Sequence, residues 1–252
     1  HCAPNLYKAE NQFSGSDAER AADLQGALDD PEIKAVFCAR GGYGTLRIID
    51  LLNWKGFQQN PKWIVGYSDV TVLHSHIHTN CHVQTLHATM PINFAKDPHS
   101  TNSLRRALFG DPLNYNWNNI TETPNRSGKA TGVLTGGNLS LLYALNNSVS
   151  DIDTVGKILF LEDLDEYLYH IDRMLLNLKR SGKLEKLAGL IIGGMDDMKD
   201  NTIPFGKNAG EVIADAVHEY NFPVAYHFPA GHGQENYALV FGAQVQLITD
   251  EK

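Results

Sequence analysis

The stretch Trp63-Ile-Val-Gly-Tyr-Ser-Asp69 runs from apolar residues directly into residues that favour a turn. Residues 63–67 predict a short buried β-strand, and a helix is expected over about residues 70–79. Ser68 and Asp69 are residue types that cap helices, so both are expected to cap this one. A serine at a sharp strand-to-helix turn also places its hydroxyl beside free backbone N–H groups, as a nucleophile requires. The stretch therefore predicts an α/β unit in which Ser68 is either a cap or a nucleophile.

The same order of strand, turn and helix recurs on both sides of this stretch. Upstream, Ser16 and Glu19 form a capping box ahead of a helix. Further strands are expected at 33–38, 83–87, 130–134, 157–161 and 188–192, and further helices at 138–145, 167–182 and 209–220. Residues 238–247 are expected to form a closing hairpin. Strands that alternate with helices are typical of the α/β class.

Residues 96–128 break this alternation. Turn-forming pairs are frequent there, among them Asp97-Pro98 and Thr123-Pro124, with one short helical piece near Leu104. We expect this segment to be a linker between an N-terminal α/β domain, residues 1–95, and a C-terminal β/α domain, residues 129–252.

Composition excludes several classes of function. Of the 252 residues 42% are hydrophobic and 20% charged, the balance of a globular protein. The net charge of −8 and the lack of a basic segment argue against nucleic-acid binding. No apolar run approaches the roughly 18 residues of a membrane span. Three cysteines form no disulfide framework, which favours a reducing compartment. The chain begins at His1 rather than Met, so no targeting signal ahead of it would be visible.

A glycine-rich turn follows the strand predicted at residues 33–38. In Arg40-Gly-Gly-Tyr-Gly44 the glycines let backbone N–H groups approach a ligand closely. The turn could complete an oxyanion hole, bind phosphate, or be only a tight turn. It lacks the Lys-Ser/Thr pair of a phosphate-binding P-loop.

Two further candidates lie near predicted strand ends. Glu162 opens a run of four carboxylates after a buried strand, where it could orient a histidine, bind a metal or act as an acid or base. Asp165 and Glu166 are expected to be solvated at the start of the next helix. His232 stands between two glycines, which suits a side chain that must reach a nucleophile, although a loop histidine with no role is the simpler interpretation.

A histidine cluster offers a competing interpretation. Five histidines and Cys81 fall between residues 74 and 87, and His74 and His78, one helical turn apart, could share a zinc ion. Ser75 stands where the helix motif of zinc hydrolases has glutamate. We therefore expect packing or surface histidines and no metal.

In their order along the chain, these motifs resemble the LD-carboxypeptidase family of serine peptidases, which also includes the microcin-immunity peptidases. The resemblance runs from about residue 12 to residue 247. It is carried by Arg40-Gly-Gly-Tyr-Gly44, Gly66-Tyr-Ser-Asp69, Thr85-Leu-His87, Gly136-Gly-Asn-Leu139, Phe160-Leu-Glu-Asp163 with Ile171-Asp-Arg-Met174, and Gly231-His232.

The resemblance implies a Rossmann-like N-terminal domain, a C-terminal β/α domain of the swivelling type, and a site between them. It implies that Ser68 is the nucleophile, Glu162 the acid and His232 the base. The oxyanion would bind the backbone N–H groups of Asp69 and the Gly41-Gly42 turn. It further implies a cytoplasmic homodimer without metal or cofactor that releases a C-terminal D-amino acid, typically D-Ala, from small murein peptides during cell-wall recycling.

Several alternatives stay open. Arg40 could bind the substrate's free carboxylate or be a structural ion-pair partner. A microcin-immunity-type amidase would use the same three residues and would need an aromatic side chain that stacks on a nucleotide-like group; Trp117 cannot be placed from the sequence. The remaining alternatives are a peptide-binding protein without turnover and a zinc hydrolase. Family members also begin with a further strand and helix, so the resemblance implies that the N-terminal sheet lacks a strand here.

Overall fold

The computed structural model describes residues 1–118 and 125–250. Strands and helices alternate along them, which confirms the α/β class. In chain order the elements are α1 (Asp17–Asp29), β1 (Ala35–Phe37), α2 (Thr45–Ile48), α3 (Lys55–Gln59), β2 (Trp63–Gly66), α4 (Thr71–Asn80), β3 (Thr85–His87), α5 (Pro98–Leu108), β4 (Gly128–Asn138), α6 (Leu139–Leu145), β5 (Ile158–Leu164), α7 (Leu168–Arg180), β6 (Gly189–Asp196), α8 (Ala209–Val217), β7 (Val224–Ala225), β8 (Leu239–Phe241) and β9 (Gln244–Thr249), with single 3-10 turns at Ile49–Leu51, Ser68–Val70 and Pro91–Asn93.

The first sheet has the order β1-β2-β3-β8. β1, β2 and β3 run parallel, and β8 pairs antiparallel with β3. Helices α1 and α4 contribute Leu28 and Ile77 to the core of this half. The predicted capping box of α1 is confirmed, because the Ser16 hydroxyl accepts from the Glu19 N–H and the Ser16 N–H donates to the Glu19 carboxylate. The parallel strands bring the loops that follow β1 and β2 to one edge of the sheet.

The second sheet has the order β7-β6-β5-β4-β9, in which only β9 is antiparallel to its neighbour. The central strand β5 is buried over almost its whole length. Its apolar run fits a parallel strand that is covered on both faces. The helix predicted over residues 167–182 is confirmed as α7, and Ile171, Met174, Leu175 and Leu178 lie in the core. The loops after β5 and β6 therefore also meet at one edge.

The predicted closing hairpin is wrong. β8 and β9 do not pair with each other: β8 joins β3 in the first sheet, and β9 lies along β4 in the second. The chain turns between them at Gly242, whose N–H donates to the carbonyl of Leu134 in β4. Alternating residues predict strands, whereas the choice of partner depends on long-range pairing that a local pattern does not contain.

The segment predicted as a linker contains the helix α5. Asp97 is its N-cap and Pro98 its first residue, which is the preferred position for proline. Beyond α5, Trp117 packs edge-on against Phe228. The predicted turn at Thr123-Pro124 lies outside the described residues. The domain boundaries stay a prediction.

Candidate active site

Ser68 lies at the carboxyl end of β2 in a strained backbone conformation. Its φ angle is +64°, in the left-handed region that non-glycine residues seldom adopt. The expectation that Ser68 and Asp69 cap the following helix is wrong, because the N-cap of α4 is Val70 and no side chain caps it. Such strain persists only where the surrounding structure imposes it, and it is concentrated at functional sites. The conformation therefore favours the nucleophile interpretation of Ser68 over the cap.

The side chain of Asp69 joins the two loops of the first sheet. Its Oδ2 accepts hydrogen bonds from the backbone N–H and the hydroxyl of Thr45, at 2.9 and 2.7 Å. Asp69 therefore caps the start of α2, directly after the glycine-rich turn, rather than α4. This contact holds the turn after β1 against the turn after β2.

Gly41 lies against Ser68. A Cβ atom built on Gly41 would stand 3.0 Å from the Cβ and 3.1 Å from the Oγ of Ser68. Gly42 has a φ angle of +135°, another conformation that favours glycine. The backbone of this turn thus lies close to the Ser68 hydroxyl, and a side chain at Gly41 would crowd it.

Arg40 extends from the same turn into solvent. Its Nε donates to the neighbouring Gly41 carbonyl at 3.3 Å. Among residues 1–118 and 125–250, none of the ion pairs includes Arg40. The interpretation of Arg40 as a structural ion-pair partner therefore has no support from the described contacts.

Glu162 and His232 form a hydrogen-bonded pair. Glu162 is fully buried, and its Oε2 accepts from Nδ1 of His232 at 2.7 Å. The register between β5 and β6 shifts at Glu162, a local bulge of the kind that re-aims a side chain. Because Nδ1 carries the proton in this bond, Nε2 of the neutral ring is left as a base.

The His232 ring also reaches the first half of the site. It lies against the ring of Tyr67, the residue before Ser68, with centroids 4.9 Å apart. Tyr67 is fixed in turn by Asn93, whose amide donates to its hydroxyl at 2.8 Å. Within the described residues Ser68 and His232 share no hydrogen bond, so their partnership in a reaction stays a prediction.

The environment of His232 favours its charged form. Burial acts against a charged imidazole, but the hydrogen bond and the negative charge of Glu162, with smaller effects from Asp163 and Asp196, outweigh burial and raise the pKa of His232. The site thus stabilises the imidazolium ion that forms when His232 takes up a proton.

Asn138 lies opposite Glu162 in the neighbouring strand and Asp163 follows Glu162 in the chain, and neither residue was assigned a role from the sequence. The Asp163 carboxylate accepts from the Asn138 amide at 2.9 Å and from the backbone N–H of Ser140 at 2.9 Å. Burial, with the nearby charge of Glu162, raises the pKa of Asp163 to about 7. The pair ties the end of β5 to the junction of β4 and α6. Both residues lie within motifs that carry the family resemblance, and Asp163 also belongs to the run of carboxylates that Glu162 opens.

Asp196 was also missed. It ends β6, and its buried Oδ2 has no hydrogen-bond partner among the described residues. A Cβ atom on Gly233, next to His232, would lie 3.2 Å from its Oδ1. The position of Asp196 at the end of a buried strand, the rule that identified Glu162, could have identified it.

The remaining carboxylates of the acidic run face other groups. Asp165 pairs with Lys199 at 2.7 Å, and Glu166 accepts from His170 at 2.5 Å. Asp165 is exposed, and both residues lie just before α7 as expected.

The histidine cluster is engaged in packing contacts. His74 bonds the carbonyl of Gly66 at 2.9 Å, His76 bonds the hydroxyl of Ser150 at 2.8 Å, and His78 bonds the hydroxyl of Thr135 at 3.2 Å. In the part of the chain that the structure describes, no three His, Cys, Asp or Glu side chains converge as a metal site would require. Nor does any described helix have both the length and the apolar character needed to cross a membrane.

Comparison with known proteins places the chain among peptidases. Residues 1–88 match the model of the LD-carboxypeptidase N-terminal domain, and residues 131–247 match that of the C-terminal domain. The probable murein peptide carboxypeptidase of Bacillus subtilis is 37% identical over 98% of this chain and 79% of its own length.

Solved structures agree with this placement. The muramoyltetrapeptide carboxypeptidase of Oxalobacter formigenes superposes with a TM-score of 0.86 at 26% identity, over 97% of this chain and 85% of that one. The immunity protein MccF, in complex with glutamyl sulfamoyl guanosine, gives a TM-score of 0.85 over 98% and 85% of the two chains; at 21% identity this shows a shared fold. The chain belongs to the LD-carboxypeptidase family.

Proposed function

We propose that this protein is a serine-type LD-carboxypeptidase that removes a C-terminal D-amino acid, such as D-Ala, from a murein tetrapeptide. The observation that carries the proposal is the Glu162–His232 hydrogen bond of 2.7 Å, placed beside the strained turn of Ser68. The names of the Bacillus and Oxalobacter relatives support the substrate class.

In the proposed reaction, Nε2 of His232 removes the Ser68 proton as Oγ attacks the carbonyl carbon of the last peptide bond. Glu162 holds the ring and stabilises its charged form. The oxyanion binds the N–H groups of Asp69 and of the Gly41-Gly42 turn; losing one such donor costs on the order of 100- to 1000-fold in rate. His232 then protonates the departing amine, and a water molecule, deprotonated by the same ring, releases the shortened peptide and regenerates Ser68.

Arg40 is the proposed partner of the substrate's terminal carboxylate. It is exposed, it has no ion pair within the described residues, and it directly precedes the glycine that touches Ser68. A guanidinium group binds a carboxylate through two parallel hydrogen bonds, which would fix the end of the peptide.

The first test is to incubate the purified protein with a murein tetrapeptide that ends in D-Ala and to measure free D-Ala. Wild type, Ser68→Ala and wild type treated with EDTA are compared. We expect release by wild type with and without EDTA, and none by Ser68→Ala. Release that persists in Ser68→Ala would exclude this nucleophile, and loss of release with EDTA would favour a zinc hydrolase.

The microcin-immunity-type amidase is the second candidate. Such an enzyme requires an aromatic side chain that is free to stack on a nucleotide-like group. Trp117 is not free, because its ring packs against Phe228 with centroids 4.9 Å apart and its Nε1 donates to the Tyr226 carbonyl at 2.9 Å. A protein that cleaves an aminoacyl sulfamoyl adenosine but not the murein tetrapeptide would favour the amidase; one that binds the tetrapeptide without cleaving it would favour the binding protein.

The proposal extends to a homodimer in the cytoplasm, which the family resemblance supports. Sedimentation equilibrium tests the first point, since the chain mass is 27.9 kDa and a dimer has twice this mass. Fractionation of the source cells tests the second.

A further inference from the structure

The turn that carries His232 is fixed by a side chain of its own, Asn236, and by side chains at the start of α5. Residues 231–236 lie outside the strands and helices. His232 must nevertheless keep its ring on Glu162 and beside Tyr67. Side-chain hydrogen bonds to this turn therefore decide where the proposed base stands.

The amide of Asn236 closes the turn. Its Oδ1 accepts from the backbone N–H of Gly231 at 3.2 Å, and the side chain is buried. A Cβ atom on Gly231 would lie 3.3 Å from Oε2 of Glu162, the oxygen that binds His232. A shift of the Gly231 backbone would therefore disturb both members of the Glu162–His232 pair.

The first turn of α5 anchors Asn236. The backbone N–H of Asn236 donates to the Ser100 hydroxyl at 2.7 Å, and this hydroxyl donates to the Asp97 carboxylate at 2.6 Å. Ser100 is only 3% exposed, so water does not compete for these bonds. Lys96, just before the helix, donates to the Gly233 carbonyl at 2.6 Å. A helix in the segment between the two matched family regions thus holds the turn in place.

The second side of the Asn236 amide faces a buried histidine. Because Oδ1 is taken by Gly231, Nδ2 remains as a donor, and it has no partner among the described residues. Both ring nitrogens of His87 likewise have no partner among the described residues, and burial lowers the pKa of His87 well below its usual value. The ring is therefore neutral and offers a lone pair to such a donor.

We propose that Asn236 is a positioning residue for His232 and that the Ser100 hydroxyl is its anchor. The inference rests on the proposed function in so far as His232 is the base. Neither residue touches the reacting atoms. They act by setting the place of Gly231, and through it the orientation of the imidazole.

Ser103 provides a matched control on the same helix. Its hydroxyl is also buried, and it accepts from the backbone N–H of Ala238 at 2.9 Å, beyond the turn of His232. Ser100→Ala and Ser103→Ala each remove one buried hydroxyl that binds a backbone N–H group. Their thermal stabilities should fall by similar amounts, whereas their catalytic effects should differ.

The kinetic test measures D-Ala release by wild type, Asn236→Ala, Ser100→Ala and Ser103→Ala. A misplacement of about 1 Å can cost about 100-fold in rate. We expect kcat to fall roughly 10- to 100-fold in Asn236→Ala and Ser100→Ala with KM nearly unchanged, and kcat of Ser103→Ala to stay near wild type. If Asn236→Ala does not fold, the test rests on the comparison of Ser100→Ala with Ser103→Ala.

A second measurement does not depend on the substrate. Proton NMR follows the Nδ1 proton of His232 in its bond to Glu162, assigned by its loss in His232→Gln. We expect this resonance to shift and to exchange faster with water in Asn236→Ala and Ser100→Ala, but not in Ser103→Ala.

The two measurements separate the two proposals. A wild type that releases no D-Ala but shows the expected pattern of resonances contradicts the proposed function and supports the positioning role. Resonances of Asn236→Ala and Ser100→Ala that match wild type, or equal losses of kcat in Ser100→Ala and Ser103→Ala, would overturn the positioning role.

Discussion

Ser68 adopts a conformation that glycine would adopt at less cost. For a residue with a Cβ atom, the left-handed region costs roughly 1–2 kcal/mol. The sequence identified Ser68 through its place after a buried strand, and Glu162 by the same rule. It could not identify the strain, because backbone angles depend on the contacts around the turn. It also gave no sign of Asn236, whose partners Ser100 and Gly231 lie far from each other in sequence.

The strain at Ser68 predicts that a glycine variant is more stable than an alanine variant, the reverse of the order expected within a helix. We expect Ser68→Gly to have a free energy of unfolding about 1 kcal/mol higher than Ser68→Ala, because only glycine relieves the strain. Both variants should be inactive. The measurement is urea denaturation. The control pair is Ser140→Ala and Ser140→Gly in α6, where alanine should be the more stable by about 0.5–1 kcal/mol. Equal stability of the two Ser68 variants would show that the conformation is not strained.

Replacing Glu162 tests the electrostatic support of His232. Glu162→Gln removes the charge that raises the pKa of His232, so this pKa should fall. Because the base acts in its neutral form, the acidic limb of the kcat/KM profile should move to lower pH. We expect kcat to drop on the order of 100- to 10,000-fold, since glutamine does not stabilise the imidazolium ion or its tautomer.

Asp165→Asn is the control for this experiment, because it removes an exposed carboxylate from the same acidic run. Its profile should coincide with that of wild type. An acidic limb that stays in place in Glu162→Gln would show that Glu162 does not set the pKa of the base.

At the scale of elements, local patterns identify structure that local contacts create. The run at residues 157–161 predicts β5, and the spacing of apolar residues predicts α7. Both predictions are possible because residues close together in the sequence show which strand or helix face is buried. The predicted partner of β8 is wrong, because its place beside β3 depends on contacts across the helices α5 to α8 and the strands β4 to β7, which lie between them in the chain. The function of α5 was missed for the same reason: its buried hydroxyls bind a turn that follows much later in the chain.

The helix α8 allows a test that is confined to one element. Asn208 caps it and forms a capping box with Glu211, with both bonds near 2.9 Å. Asn208→Ala should lower the free energy of unfolding by about 1 kcal/mol, while Asn208→Asp, which also caps well, should keep it. Urea denaturation measures both. D-Ala release should be unchanged, and a loss of release would show that α8 also supports the site.

At the scale of the whole molecule, the fold keeps several histidines buried. Burial lowers the pKa of His74 to about 4 and, with the charge of Lys157, that of His78 to about 4. Unfolded histidine has a pKa near 6.5. Between these values the unfolded chain binds protons that the folded chain does not. The free energy of unfolding is therefore not reduced by these histidines above about pH 6.5, and it decreases as the pH falls toward 4.

Each such histidine should reduce the free energy of unfolding by up to about 1.4 kcal/mol per pH unit in this window. Urea denaturation at several pH values between 7 and 4.5 measures the slope. We expect His74→Gln to have a shallower slope than wild type, and His218→Gln, at an exposed position, to keep it. Identical slopes in wild type and His74→Gln would contradict the neutral state of His74 in the fold.

The position of β8 late in the chain determines when the first sheet can be completed during folding. Among the described residues, β8 is the strand that pairs with the outer edge of β3, and it follows β4, β5, β6 and β7 in the chain. During synthesis on the ribosome, the edge of β3 therefore stays unpaired until nearly all of the second sheet has been translated. Contacts between residues so distant in sequence slow folding, and an open edge invites association with other chains. A nascent chain of this protein should therefore depend on chaperones for longer than its length alone suggests.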